Sequence, residues 1–109
     1  MGLFDVFNQY YLTKKAYRLF NQCKYQESLE CYNKILNINL NLKKDPMYLK
    51  ASFSKGAVLQ KLERYQEALK AYDYTIELDP EYVDTWHLRG IALKYLDRNQ
   101  DALKCLIKH

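Results

Sequence analysis

The chain has 109 residues, one small domain's worth, of which 49% are hydrophobic and 28% charged, with only 3 Gly and 2 Pro. Such a composition excludes a collagen-like or disordered chain, and so little turn material implies a few long elements rather than many short strands. The net charge of +4 is uneven: residues 1–55 carry nine Lys or Arg against four Asp or Glu, and residues 56–109 carry eight against nine. The mildly basic first half falls well short of the dense Lys/Arg clusters that grip nucleic acid.

In chain order, six helices are predicted over about 5–22, 25–41, 46–62, 65–78, 80–96 and 99–108. Leu3, Phe4, Val6 and Phe7 form an apolar cluster at the start of the first helix. Val6 also stands where a myristoylation signal would need Ser or Thr. Ala16 and Leu19 mark the buried stripe of the first helix, and Leu29, Tyr32, Ile35 and Leu36 that of the second, at the three- and four-residue steps of an amphipathic helix. Asp45-Pro46 reads as the start of the third helix: Asp caps free amide groups and Pro fits the first turn. Gly56, Leu59 and Leu62 form the stripe of that helix; Ala68, Leu69, Tyr72, Thr75 and Ile76 form that of the fourth. Asp79-Pro80 reads as a second capped start, leading into Trp86, Gly90, Leu93 and Leu96. Leu103, Leu106 and Ile107 close the series.

The chain repeats itself. Arg64-Tyr65-Gln66-Glu67-Ala68-Leu69-Lys70 recurs 34 residues later as Arg98-Asn99-Gln100-Asp101-Ala102-Leu103-Lys104, and 40 residues earlier as Lys24-Tyr25-Gln26-Glu27-Ser28-Leu29-Glu30. Upstream of each copy lies a base followed by a small residue, at Lys15-Ala16, Lys55-Gly56 and Arg89-Gly90. The small residue removes bulk where a second helix crosses closely. The extra six residues between copies one and two fall around 38–44.

This pattern resembles the tetratricopeptide repeat, a 34-residue helix-turn-helix unit with the signature W-x2-L-G-x2-Y followed by A, an aromatic and P. Copy two carries Gly56, Leu59, Tyr65, Ala68, Tyr72 and Asp79-Pro80. Copy three carries Trp86, Gly90, Leu93 and Ala102, and copy one Leu12, Ala16, Leu19, Tyr25, Ser28 and Tyr32. Ser52 departs from the large residue preferred at its place, and Lys15, Lys55 and Arg89 stand where the pattern has leucine. The basic stems are expected to pack while their heads reach water, the alternative being a basic column that contacts an acidic partner. The resemblance implies an all-α fold, a right-handed superhelical stack of three antiparallel helix pairs (an α-solenoid) over residues 9–44, 49–82 and 83–109, with 1–8 as an N-terminal segment.

It also implies a function, a non-enzymatic protein–protein interaction module holding a peptide or partner helix in a concave groove lined by the first helix of each pair. Carried onto this chain, the groove comprises Tyr10, Thr13, Lys14, Tyr17, Phe20 and Asn21; Lys50, Phe53, Ser54, Ala57, Gln60 and Lys61; and Asp84, His87, Leu88, Ile91, Lys94 and Tyr95. Lys14, Lys50, Lys61 and Lys94 against the single acid Asp84 suit a protein partner with apolar anchors and some acidic character. Phe20, Phe53 and Leu88 have an alternative role, packing on the next helix. The Lys, Asn and Arg clamp by which some family members grip the acidic tails of heat-shock chaperones is not reproduced at Thr13, Tyr17, Ser54, Asp84 and Leu88, so a chaperone tail of that type is not the expected partner.

A second function is open at the ends of the chain. Either the chain is a segment of a longer array, or, with no further polar helix over Leu103, Leu106 and Ile107 and with Leu3, Phe4 and Phe7 apolar, self-association into a homo-oligomeric scaffold is the alternative. Catalysis, a cofactor and a metal centre find no support: His87 one turn from Asp84 lacks a nucleophile, and no Gly-rich phosphate loop is present. Cys31 and Cys105 occupy the place of Ala71 and read as small packing residues. The odd third thiol, Cys23, with no CxxC pair and no charged-then-apolar leader, points to a reducing, cytoplasmic setting. No apolar run reaches the roughly 18–20 residues of a membrane span, and RNA is a weak third reading. Of the eleven tyrosines, Tyr25, Tyr32, Tyr65 and Tyr72 belong to the repeat architecture and Tyr10, Tyr17 and Tyr95 to the groove. Tyr11, Tyr48, Tyr74 and Tyr82 have no assigned role.

Overall fold

The computed structural model describes the backbone of residues 3–38 and 45–107 and the side chains of residues 7–38 and 45–98. Among the described residues the chain forms five helices: α1 (Leu3–Asn21), α2 (Tyr25–Ile38), α3 (Pro46–Lys61), α4 (Tyr65–Leu78) and α5 (Val83–Ile107). Each packs chiefly on the next in chain order, with lighter contacts between α1 and α3 and between α3 and α5. The assembly is elongated, 60 × 29 × 18 Å. The end of the predicted second helix, beyond residue 38, lies outside the described residues.

Small residues set the crossings. Ala16, Ala68 and Ala92 are fully buried, together with Val58 and Tyr72. Gly56 makes room for the Tyr72 ring: a Cβ there would lie 2.6 Å from Cδ1 and 2.9 Å from Cζ, and nearer still to Cε1. The Tyr72 hydroxyl donates to Gln60 Oε1 at 2.7 Å, and burial pushes its phenol above the ordinary range. Ser52, where a large residue was expected, instead shares a buried hydrogen bond with Thr75 Oγ1 at 2.5 Å, while Thr75 donates to the Ala71 carbonyl at 2.9 Å. In the first pair, Ser28 Oγ donates to the carbonyl of Ala16 at 2.8 Å, tying α2 to α1 at the same small residue.

The two helix-to-helix turns within pairs are built alike and without glycine. Cys23 and Glu63 adopt left-handed backbone, with φ of 62° and 60°. Beyond Cys23 the amide of Lys24 returns to the Leu19 carbonyl at 2.9 Å; beyond Glu63 the amide of Arg64 returns to Leu59 at 2.9 Å. The neighbouring bonds, Cys23 N to Phe20 O and Glu63 N to Gln60 O, complete the double C-terminal cap in each case. At the start of α3, Asp45 accepts from the Met47 amide at 2.8 Å with Pro46 following, the cap that its sequence predicts.

The third pair differs from expectation. The helices predicted over 80–96 and 99–108 are one helix, α5, running from Val83 to Ile107. Asp79-Pro80 does not start it: Asp79 Oδ1 accepts from the Glu81 amide at 3.0 Å and its carbonyl accepts from the Tyr82 amide at 3.2 Å, closing a tight turn two residues earlier. No Gly or Pro follows Gly90, but none marks the turns at Cys23 and Glu63 either; what is missing among the described residues is a following helix packed on Gly90, and the chain runs straight on through Asp97-Arg98. Among the described residues no helix crosses Gly90, and none has an atom within 4 Å of a Cβ placed there. Trp86 and Leu93 on the same face remain 50% and 37% exposed. The Trp86 indole N–H is satisfied locally by the Pro80 carbonyl at 2.9 Å.

Candidate functional site

The odd-numbered helices line two neighbouring clefts. The first, of about 440 Å³, takes Thr13, Lys14 and Tyr17 from α1, Lys50, Ala51 and Ser54 from α3, and Tyr32 of α2. The second, of about 400 Å³, takes Phe20 from α1, Ala57, Gln60 and Lys61 from α3, Leu88, Ile91 and Tyr95 from α5, and Tyr65 of α4. Helical spacing places them: Thr13, Tyr17 and Phe20 succeed one another on one face of α1, as Lys50, Ser54, Ala57 and Lys61 do on α3. Among the described residues no Asp or Glu lines either cleft.

Aromatic groups shape the rims. Tyr17 is 60% exposed over the first cleft, and Lys14 Nζ lies 4.8 Å from the centre of the Tyr10 ring, a cation–π contact that holds the lysine along α1. Burial raises the Tyr32 phenol above its ordinary value, the Ser54 hydroxyl working the other way. In the second cleft the Tyr65 and Tyr95 rings stack in parallel, 5.0 Å between centres and 5° from coplanar. Desolvation, with the charge of Glu63 beside it, raises the Tyr65 phenol.

Lys14, Tyr17 and Lys50 thus meet at the first cleft and Lys61, Ile91 and Tyr95 at the second, with Tyr10 beside the first. Asn21, His87 and Lys94 are exposed and line neither. Phe53 is turned inward, its ring 6.1 Å from Tyr72 and edge-on to Tyr82 at 5.3 Å. Phe20 and Leu88 serve both purposes, lining the second cleft while packing on the core, Phe20 edge-on to Tyr25 at 5.5 Å. Tyr32 and Tyr65, read from the sequence as architecture alone, line the clefts too. Their positions were available from the repeat, because each lies on a second helix at a point that faces the following first helix. Of the residues expected at an association surface, Phe7 is 64% exposed; the side chains of Leu3, Phe4, Leu103, Leu106 and Ile107 lie outside the described residues. Among the described residues no group of three or more His, Cys, Asp or Glu converges as a metal site.

Residues 50–82, from Lys50 in α3 through α4 to Tyr82, match the family model of the tetratricopeptide repeat. Over that stretch the chain is similar to one tetratricopeptide repeat, and its five helices packed in order are consistent with an array of such units. Comparisons with curated proteins and with solved structures return no match. Tetratricopeptide repeats are in general protein–protein interaction modules and typically non-enzymatic, so the match supports an interaction module with a protein partner. Among the described residues no helix is long and apolar enough to cross a membrane.

Proposed function

We propose that the face formed by α1, α3 and α5 binds a protein segment in its two clefts. The observation that carries this reading is the convergence of tyrosines and lysines from successive copies on one face, without an acid among the described residues of either lining. Tyr17 and the Tyr65–Tyr95 stack are amphipathic anchors of the kind in which binding energy concentrates, and Lys14, Lys50 and Lys61 steer a partner carrying negative charge. The partner is then a peptide or helix with apolar anchors and some acidic character. Unbiased partner capture with the full chain and with a Tyr17→Ala, Lys50→Gln, Tyr95→Ala triple variant tests it. Partners lost from the variant while its helical signal is retained support the reading; partners equally bound by both refute it. Phe53 is left intact in that variant because it belongs to the core.

A second reading, self-association of the chain, is favoured by a separate observation: Trp86, Gly90 and Leu93 form an exposed stripe on α5. Two copies pairing through that stripe would cover it. Light scattering across the micromolar range decides, since a monomer mass independent of concentration removes this reading, and an oligomer that Leu93→Lys dissociates supports it. The compartment proposed is the cytoplasm, supported by the free thiols of Cys23 and Cys31.

A further inference from the structure

Away from these clefts, α2 and α4 flank α3 and leave a groove of about 550 Å³. Leu36 of α2 and Leu59 of α3 give it apolar walls. Its charge is one-sided: Lys55, Arg64 and Lys70 line it against the single acid Glu67. Arg64 Nε pairs with that carboxylate. The same hydrogen bond, with Lys70 and Lys55 adding their charge, holds Glu67 below the usual carboxylate range, so all three cations act on one acid.

The repeat register explains the surplus. Lys55 and Arg89 occupy one place in successive copies, 34 residues apart, and Asn33 and Asp73 occupy another, 40 apart. At the junction of α4 and α5, Arg89 Nε meets Asp73 Oδ1 at 2.7 Å, an ion pair from one copy to the next. At the junction of α2 and α3 the same two places hold Lys55 and Asn33, both lining the groove, and Asn33 brings no charge. Among the described residues Lys55 forms no ion pair. A cation set in a concave, partly apolar surface attracts a carboxylate more strongly than one in open water.

We propose that this groove is a second protein-binding surface, taking an acidic segment whose carboxylate stands beside Lys55 and Lys70 in the place that Asp73 fills one copy later. An apolar side chain of the same segment rests on Leu36 and Leu59. The partner contributes the half of the ion pair that Asn33 omits.

Fluorescence anisotropy with the full chain and a labelled peptide of repeating Glu-Glu-Leu tests this, with Gln-Gln-Leu as the neutral control. The acidic peptide is expected to bind in a saturable, salt-sensitive manner and the control to bind far more weakly. Lys55→Gln and Lys70→Gln should each weaken binding by about threefold to tenfold. Asn33→Asp should weaken it similarly by supplying the carboxylate within the chain, with no loss of melting temperature, which separates lost binding from lost folding. Lys24→Gln, at an exposed lysine that lines neither this groove nor the two clefts, should change nothing. The proposal is overturned if Lys50→Gln or Lys61→Gln weakens binding while Lys55→Gln and Asn33→Asp do not, or if the acidic peptide fails to saturate. It is equally overturned if polyuridylate or inorganic phosphate binds more tightly than the peptide with the same dependence on Lys55.

Discussion

Alanine at positions 56 and 90 should move the melting temperature in opposite directions, although the two glycines occupy the same place in successive copies. Either change relieves the cost of glycine inside a helix, about 1 kcal/mol. At Gly90 that gain stands alone, because among the described residues a Cβ meets nothing within 4 Å. At Gly56 the new methyl falls 2.6 Å from Cδ1 and 2.9 Å from Cζ of Tyr72, a fully buried ring held at its far end by the Gln60 bond. The ring has to move by an ångström or so, for which overpacking costs about 1–3 kcal/mol. Straining the Tyr72–Gln60 hydrogen bond adds about 0.5–1.5 kcal/mol. The net for Gly56→Ala is a loss of about 1–3 kcal/mol. For a domain of this size each kcal/mol shifts the midpoint by about 4–8 °C, so thermal unfolding followed by circular dichroism should show a fall of roughly 5–20 °C. Gly90→Ala should show a rise of roughly 3–8 °C. Two rises of similar size would mean that the Tyr72 ring does not fill the space at Gly56, and the account of that crossing would be wrong.

The left-handed residues of the turns give a second test: Glu63→Gly should stabilise the chain by about 0.5–1 kcal/mol in urea unfolding, and a lower midpoint would contradict the cap geometry. Thr75→Val strips the buried Ser52 hydroxyl of its partner and should cost about 1–3 kcal/mol. Adding Ser52→Ala to that variant should then cost less than Ser52→Ala alone, a coupling readable in a double-mutant cycle. Alkaline pH supplies a fourth. Burial raises the phenols of Tyr72 and Tyr48, the latter also through its hydrogen bond with Tyr74, above the ordinary 10.0. The folded chain therefore holds these protons more tightly than the unfolded one, and the stability they lend is complete below pH 10.0 and declines as pH rises beyond it. Tyrosinate absorbance should accordingly rise in two stages, the second coinciding with unfolding; a single stage with all phenols titrating normally would contradict the burial.

The middle of the chain was the most legible from sequence. The fourth helix falls on its predicted residues and the third ends one residue early, because capping by Asp45-Pro46, helical spacing and the repeat register agree there. The register also anticipated that Ala16, Ala68, Tyr32 and Tyr72 would be interior. The third copy departs from its pattern because a break between its two helices depends on a turn with no local signal. Cys23 and Glu63 are no more turn-prone than Asp97, and what bends the chain at them is packing of the following helix, seen in Tyr72 filling the space at Gly56. Tyr48, Tyr74 and Tyr82 escaped assignment for a similar reason. Tyr48 and Tyr74 share a hydroxyl hydrogen bond at 2.9 Å, and Tyr82 meets Phe53 edge-on, contacts that join different helices and leave no periodic trace. On the binding face the register placed Lys14, Tyr17, Lys50, Lys61, Ile91 and Tyr95 around the clefts. It could not tell that Phe53 turns inward, a matter of which neighbour its ring meets.

The packing of each helix chiefly on its successor bears on how the chain acquires its structure. Contacts between sequence neighbours close short loops, so their entropic cost is small and folding should be fast, on the microsecond-to-millisecond scale of helical proteins. Such an order also lets structure grow in the direction of synthesis. The α1–α2 pair, with its Ser28 tie to Ala16, can close before α3 has left the ribosome, and each later helix then docks on a surface already formed.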